Sequence, residues 1–124
     1  MLTSSDSKER RAVICQAGSS LFALSSRDVR EVCTDAKLVQ MPGVAPPVEG
    51  VINLRGTLVT IVRASSLLGG RGEPDAPSTW FVVLRYRDGR VGLGVDDVVD
   101  FALPSPDVPW LDPTVGLEPH FRRA

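Results

Sequence analysis

The stretch VEGVINLRGTLVTIVRASSLLGG, residues 48–70, decides the fold of this chain. It contains two strongly apolar runs separated only by Arg55, Gly56 and Thr57. A glycine between two such runs supplies the positive φ of a tight turn, so the stretch predicts a β-hairpin. In purely structural terms, Arg55 is a solvated residue beside that turn.

Short apolar segments alternate with glycine and proline along the rest of the chain, which is typical of an all-β protein with short helical turns. Asp88 and Gly89 mark a second hairpin, because both residues favour the positive φ of such a turn. Strands are predicted at 11–17, 20–25, 30–40, 50–55, 57–63, 79–86, 90–95 and 98–103. Helical turns are predicted after Ser25, at Pro46-Pro47 and in ASSLLGG, which Gly69 and Gly70 close.

A chain of 124 residues is long enough for one domain with its own core. Residues 1–10 are polar and are predicted to be a flexible N-terminus. The segment 69–78, GGRGEPDAPS, is predicted to be a linker because its glycine, proline and polar residues cannot form a core face.

An ungapped internal repeat appears when the chain is compared with itself at an offset of 69 residues. AVICQAGSSLFALSSRDVREV (12–32) then aligns with FVVLRYRDGRVGLGVDDVVDF (81–101). Each copy contains a hairpin, an acidic turn and a further strand, and the two copies lie on either side of the linker. The repeat predicts two related halves.

The 14 basic and 15 acidic residues give a net charge near -1, which argues against non-specific nucleic-acid binding. The chain has neither a membrane-spanning run nor a signal-peptide segment, so a cytoplasmic protein without membrane insertion is predicted. Cys15 and Cys33 lack metal or redox spacing and are interpreted as small apolar strand residues.

No residue pattern supports catalysis. His120 is the only histidine and lies near the end of the chain, with no nucleophile motif beside it. Asp96, Asp97 and Asp100 lack the glycine and the distant glutamate of a calcium loop, and GLG at 92–94 is not a phosphate loop. The chain is therefore predicted to be a binding protein without enzymatic activity, metal or cofactor.

The string EGVINLRGTLVTIVRASSLLG resembles the signature hairpin of the CheW-like chemotaxis coupling proteins, with matches at Gly50, Val51, Asn53, Leu54, Arg55 and Gly56. LFALSSRDVREV (21–32) and VGLGVDDVVDF (91–101) are similar to two further family segments. The resemblance covers residues 11–103. It implies a fold of two small five-stranded β-barrels, each resembling an SH3 barrel, with a hydrophobic joint between them.

The resemblance also implies function. Family members are adaptors that bind the cytoplasmic tip of methyl-accepting chemoreceptors and connect it to the regulatory domain of a CheA-type histidine kinase. Carried over by position, the receptor-binding residues are Val29, Glu31, Gly50, Arg55 and Gly56, and the glutamate pairs with the arginine. Because the receptor tip is a helical hairpin, a helix-in-groove interaction is expected, with glycines allowing close approach.

Two departures from the family pattern affect these expectations. Arg63 stands where the family usually has an acid at the end of the second hairpin strand. The sequence after residue 103 lacks the glycine-rich hairpin and helix that complete the second barrel, so that barrel is predicted to be incomplete. The proline-rich segment 104–124 is predicted to lie along the exposed strand edge, with Trp110 filling the space; a homodimer is the alternative cover.

These features predict a short chemosensory adaptor that keeps receptor binding and has weakened or lost kinase binding. Possible partners also include other CheW-like proteins, and a place in a receptor array is expected. A full receptor-kinase coupling adaptor is one alternative. A generic SH3-like module that binds extended or proline-rich peptides is another, although the seven aromatic residues are few for such a groove.

Overall fold

The computed structural model describes residues 11–41, 43, 47–68, 77–102 and 106–121. The strands are β1 (Ala12–Ala17), β2 (Ser20–Ser25), β3 (Val29–Cys33), β4 (Val48–Leu54), β5 (Thr57–Arg63), β6 (Trp80–Leu84), β7 (Val91–Val95) and β8 (Asp97–Ala102). The helices are α1 (Ala64–Leu67) and α2 (Pro113–Phe121), and 3-10 turns occupy Ser26–Asp28 and Tyr86–Gly89. The predictions for residues 1–10, for Pro46 and for most of the 69–78 linker fall outside the described residues.

Every predicted strand except one begins and ends within two residues of its observed bounds. The exception is β3, which was predicted to extend to residue 40 and ends at Cys33. Beyond β3 the chain crosses to β4, where the backbones of Val39 and Val51 exchange hydrogen bonds of 2.8 and 3.0 Å. The predicted cap at Ser25 is confirmed, since its hydroxyl accepts a hydrogen bond of 3.3 Å from the backbone nitrogen of Arg27.

The helix α2 corrects the prediction that the chain has no terminal helix. Asp112 caps it, because its side-chain oxygen accepts hydrogen bonds from the backbone nitrogens of Thr114 (3.0 Å) and Val115 (3.4 Å). Pro113 is the first helical residue, where its fixed φ favours the helix and its missing N–H costs nothing.

The strands form a five-stranded sheet in the order β3-β6-β7-β5-β4 and a three-stranded sheet in the order β2-β1-β8. The pairing of β5 with β7 is parallel, and the other strand pairs are antiparallel. The predicted mainly β class is therefore confirmed. Each sheet contains strands that precede the 69–78 segment and strands that follow it. The two sheets therefore do not correspond to the two parts of the sequence on either side of that segment.

The internal repeat is present in three dimensions, and the two copies exchange their third strands. In the first copy β3 leaves the β1-β2 hairpin and pairs with β6, whereas in the second copy β8 leaves the β6-β7 hairpin and pairs with β1. The pairs Val29–Leu84 and Cys15–Val98 are related by the same offset of 69 residues. The register shift that follows each pair also recurs at that offset.

At the repeat offset β2 corresponds to β7. Residues 109–111 pair with β2 in the same way as the end of β5 pairs with β7. Trp110 forms a parallel β-bridge with Ala23. The backbone nitrogen of Ala23 donates a hydrogen bond of 2.9 Å to the carbonyl oxygen of Pro109, and the carbonyl oxygen of Ala23 accepts one of 2.8 Å from the backbone nitrogen of Leu111. The prediction that this segment covers the strand edge is confirmed here. Trp110 is still 41% exposed, so the prediction that it fills the space is wrong.

The largest core cluster lies between the two sheets and includes residues from both sheets and from both α-helices. Leu117 of α2 is fully buried in it, and Leu111 packs against it. The five-stranded sheet encloses a second cluster, comprising Ile52, Val59, Ile61, Phe81 and Val83. The other face of the three-stranded sheet has only a small cluster of Ala12, Ile14 and Ala23, with Val108 against it.

We expect Leu117→Ala to destabilise the protein by about 2–5 kcal/mol, because it removes a fully buried side chain and leaves a cavity between the sheets. Val115→Ala on the same helix is the matched control, since Val115 is 71% exposed. Urea unfolding monitored by circular dichroism measures both changes. Equal unfolding midpoints for the two variants would contradict the assignment of Leu117 to the core.

Asp28 should make the stability depend on pH. Burial raises the pKa of Asp28, the nearby Asp112 raises it further, and Arg27 lowers it in part. The folded protein therefore holds the proton more tightly than the unfolded chain, so stability decreases as pH rises through the raised pKa.

We expect Asp28→Asn to be more stable than the original protein at pH 7, with the difference disappearing below about pH 4. Urea midpoints measured from pH 3.5 to 7 test this, with Asp35→Asn in an exposed bend as the control for net charge. A difference that does not change with pH would contradict the effect of protonation.

Candidate partner-binding site

Arg55 and Gly56 form the two-residue turn between β4 and β5, since Leu54 pairs with Thr57. Both residues have positive φ, 52° at Arg55 and 90° at Gly56, as in the tight hairpin turns that match strand twist. The side-chain oxygen of Asn53 accepts a hydrogen bond of 2.8 Å from the backbone nitrogen of Gly56. Asn53 and Gly56 therefore fix the turn geometry.

The backbone conformation of Arg55 is unfavourable for an arginine. A residue with a Cβ in the left-handed region costs roughly 1–2 kcal/mol, and this kind of turn favours asparagine, aspartate or glycine at both positions. The turn itself therefore does not require an arginine. A residue held in such a conformation at an exposed site suggests a role for its side chain.

The Arg55 guanidinium donates a hydrogen bond of 2.6 Å to Glu31 of β3 and forms an ion pair with it. The hydrogen bond and charge of Glu31 raise the pKa of Arg55, so the guanidinium stays positively charged. The Arg55 side chain is 71% exposed and that of Glu31 is 30% exposed. The pair is therefore oriented on the surface with room for a further ligand at the guanidinium.

A β-bulge in β3 places Glu31. The register with β6 shifts between Val29 and Glu31, which makes Arg30 the extra residue. Val29 packs against the core cluster between the sheets, and so does Val32 after the bulge. The side chain of Val29 therefore packs against the core, whereas that of Glu31 faces the β4-β5 turn.

The structure places Gly50 away from this pair. Gly50 is buried in β4, and a Cβ built on it would collide with the carbonyl oxygen of Val39. The glycine thus allows the backbone at Val39 and Gln40 to cross closely over β4. Of the five predicted site residues, Glu31, Arg55 and Gly56 lie together, Val29 lies beneath them, and Gly50 lies under another part of the chain.

A groove of about 370 Å³ lies beside the Glu31–Arg55 pair. Residues from β3, from the β4-β5 hairpin and from the turn before β7 line it. They include Arg30, Asp88 and Arg90, which the sequence analysis did not identify as site residues. Arg30 lies next to Glu31 in sequence, but nothing in the sequence shows that the 86–90 turn approaches the hairpin.

Arg63, the basic residue where the family usually has an acid, has a partner within the chain. It donates a hydrogen bond of 2.5 Å to Glu49, and both side chains are largely buried. Glu49 also accepts hydrogen bonds from the backbone nitrogen (2.9 Å) and the hydroxyl (2.8 Å) of Ser78. This network joins β4, β5 and the segment before β6, so the change of charge sign is compensated by Glu49.

Within the described residues, no group of three or more histidine, cysteine, aspartate or glutamate side chains is arranged to hold a metal ion. Burial raises the pKa of Cys15 to about 12, so this thiol stays protonated and unreactive. None of the helices in the described part of the chain is both long and apolar enough to span a bilayer.

A profile of the CheW-like domain family matches residues 11–106. This match covers most of the chain, which therefore belongs to the CheW-like domain family. Because this is a family of scaffolding proteins, membership confirms the prediction that the chain is not an enzyme.

Two curated relatives are chemotaxis protein CheW of Bacillus subtilis and protein PilI of Pseudomonas aeruginosa. The first is 32% identical over 79 residues, which cover 64% of this chain and 51% of that protein. The second is 33% identical over 81 residues, which cover 65% and 46%, so this chain spans about half the length of each. The crystal structure of the scaffolding protein TtCheW from Thermoanaerobacter tengcongensis is similar, with a TM-score of 0.58, 25% identity, and coverage of 81% of this chain and 73% of that chain.

We expect Gly50→Ala to destabilise the protein strongly, because the added methyl group meets the Val39 carbonyl and the backbone must shift. Gly116→Ala in α2 is the control: its methyl group would have ordinary contacts and should stabilise the helix by up to about 1 kcal/mol. Chemical unfolding measures both. A stable Gly50→Ala protein with the original unfolding midpoint would show that the close approach is not needed.

Proposed function

We propose that this chain is a chemosensory adaptor that binds the cytoplasmic tip of methyl-accepting chemoreceptors through the surface around Arg55. In this proposal Glu31 orients the guanidinium, Arg55 contacts the receptor, and Gly56 leaves the turn open to a helix. The protein would act in the cytoplasm as part of a receptor array. It belongs to a two-component signalling system in this proposal.

The observation that carries the proposal is the ion pair of 2.6 Å between Arg55 and Glu31, with Arg55 in an unfavourable backbone conformation. The pair holds a charged, exposed side chain at a fixed place, which reduces the entropy lost when a partner binds. Family membership and the similarity to CheW proteins support the chemosensory role. The receptor as partner is part of the proposal.

We propose further that binding to the CheA-type kinase is weaker than in a full coupling adaptor. This rests on the second half of the fold. At the repeat offset β2 corresponds to β7. In the five-stranded sheet β7 is followed by β5 and then β4, whereas among the described residues only the 109–111 segment pairs with the free edge of β2. A surface that depends on a complete second barrel would therefore be reduced.

Arg55→Glu should weaken binding of a purified chemoreceptor cytoplasmic fragment at least about tenfold, which corresponds to about 1.4 kcal/mol. Lys37→Glu, the same charge reversal at an exposed residue away from the groove lining, should bind as the original protein does. Titration by isothermal calorimetry measures both. Unchanged circular dichroism and unfolding midpoints would confirm that both variants fold.

The double variant Glu31→Arg with Arg55→Glu separates two roles of the pair. If the pair only holds the hairpin in place, exchanging the charges restores it and binding recovers. If Arg55 contacts the receptor, as proposed, binding stays weak because the exposed charge is now negative. Recovery of full affinity would therefore remove Arg55 from the interface.

The same titration with the regulatory domain of a CheA-type kinase tests the second part. Weaker binding than a full-length adaptor supports it, and equal binding shows a full receptor-kinase coupling adaptor. If neither receptor nor kinase binds, the adaptor proposal is wrong and a peptide-binding module becomes the better interpretation.

A further inference from the structure

The groove beside the ion pair has an excess of arginine. Arg30, Arg55 and Arg90 line it, against the two acidic residues Glu31 and Asp88. Glu31 already accepts a hydrogen bond from Arg55. The whole chain has a net charge near -1, so this concentration of positive charge is local.

Arg30 is held in the groove by the turn before β7. Its guanidinium donates a hydrogen bond of 3.2 Å to the backbone carbonyl of Asp88. It also lies over Gly89, where an added Cβ would collide with it. Because the carbonyl is a neutral acceptor, Arg30 keeps its full charge and further N–H donors for a ligand.

Arg90 has a fixed backbone and an uncommitted side chain. Its carbonyl accepts a hydrogen bond of 2.9 Å from Thr60 of β5, which sets where the residue stands on the rim of the groove. The side chain is exposed, and no ion pair or side-chain hydrogen bond joins it to any described residue. The rim therefore presents a positive charge without a counterion from the described chain.

The internal repeat shows that the fold does not require these arginines. At the 69-residue offset, Arg30 corresponds to Val99 and Arg90 corresponds to Leu21. Both of those residues are exposed, at 50% and 41%, and both are apolar. The same positions thus tolerate very different side chains. The two arginines come together because β3 of the first copy pairs with β6 of the second, in the sheet that also contains Glu31.

We propose that Arg30 and Arg90 form an anion subsite that binds an acidic side chain on the partner helix, next to the place where Arg55 contacts that helix. This inference rests on the proposed function and adds the chemistry of the partner. Arginine is suited to this role, because its planar guanidinium binds carboxylates through paired hydrogen bonds. A helix that presents a carboxylate beside the residue that Arg55 contacts suits the charges of this groove.

The subsite should act mainly on the association rate. Exposed charges at the rim of an interface speed encounter with an opposite charge and are screened by salt. Removing the charge of Arg90 should therefore lower the association rate constant and make binding less sensitive to ionic strength.

The test is binding of a purified chemoreceptor cytoplasmic fragment to Arg90→Glu, measured by surface plasmon resonance at about 50 and 300 mM salt, between which the Debye length falls roughly 2.5-fold. Arg85→Glu is the matched control, because it makes the same charge change at an exposed residue of the same turn region that does not line the groove. At low salt we expect the affinity of Arg90→Glu for the fragment to be at least about tenfold lower than that of the original protein, and the affinity of Arg85→Glu to change at most about twofold. Arg90→Gln should fall between the original protein and Arg90→Glu.

Equal effects of Arg90→Glu and Arg85→Glu would overturn the subsite, since they would show only a general effect of net charge. If Arg55→Glu weakens binding while Arg90→Glu does not, the adaptor proposal stands and the subsite is wrong. If the original protein does not bind the fragment, both proposals are wrong. Circular dichroism of each variant confirms folding before binding is compared.

Discussion

The pairing of β3 with β6 and of β8 with β1 is the constraint on which the rest of the structure depends. Each half of the chain builds a hairpin and gives its third strand to the hairpin of the other half. The backbone groups of each third strand are therefore hydrogen-bonded by the hairpin of the other half. The core between the sheets, which draws on both halves, can therefore form only when the two come together.

The candidate site depends on this exchange. The bulge that turns Glu31 toward Arg55 exists because β3 pairs with β6, a strand from the other half. Arg55 comes from the β4-β5 hairpin, and the groove beside it is completed by the turn that contains Asp88. The ion pair joins residues 24 positions apart, so it can form only when these distant strands are correctly assembled. Its surface energy is small, so its value lies in orienting Arg55 rather than in stabilising the fold.

Local features were predictable from the sequence, and features set by distant contacts were not. The hairpins at Gly56 and Gly89 follow from turn chemistry, and the ion pair followed from the family resemblance. The burial of Gly50 depends on where Val39 crosses β4, which no local pattern encodes. The terminal helix had two local signals, Asp112 as a cap and Pro113 after it, but Gly116 and Pro119 weaken the helical pattern. Leu117 stabilises that helix through tertiary packing instead.

The small residues of the three-stranded sheet explain how its outer face is covered. At the repeat offset, Ala12 corresponds to Phe81, which fills the core of the five-stranded sheet. Ala12 is buried beside Ala23 and Ile14, with Val108 packed against them. Val108 thus packs on this face, and residues 109–111, which follow it, pair with the backbone of Ala23 at the edge of the sheet. Phe81 instead packs against residues of β4 and β5, so the larger side chain lies in the core that more strands enclose, and the small residues lie where Val108 packs against them.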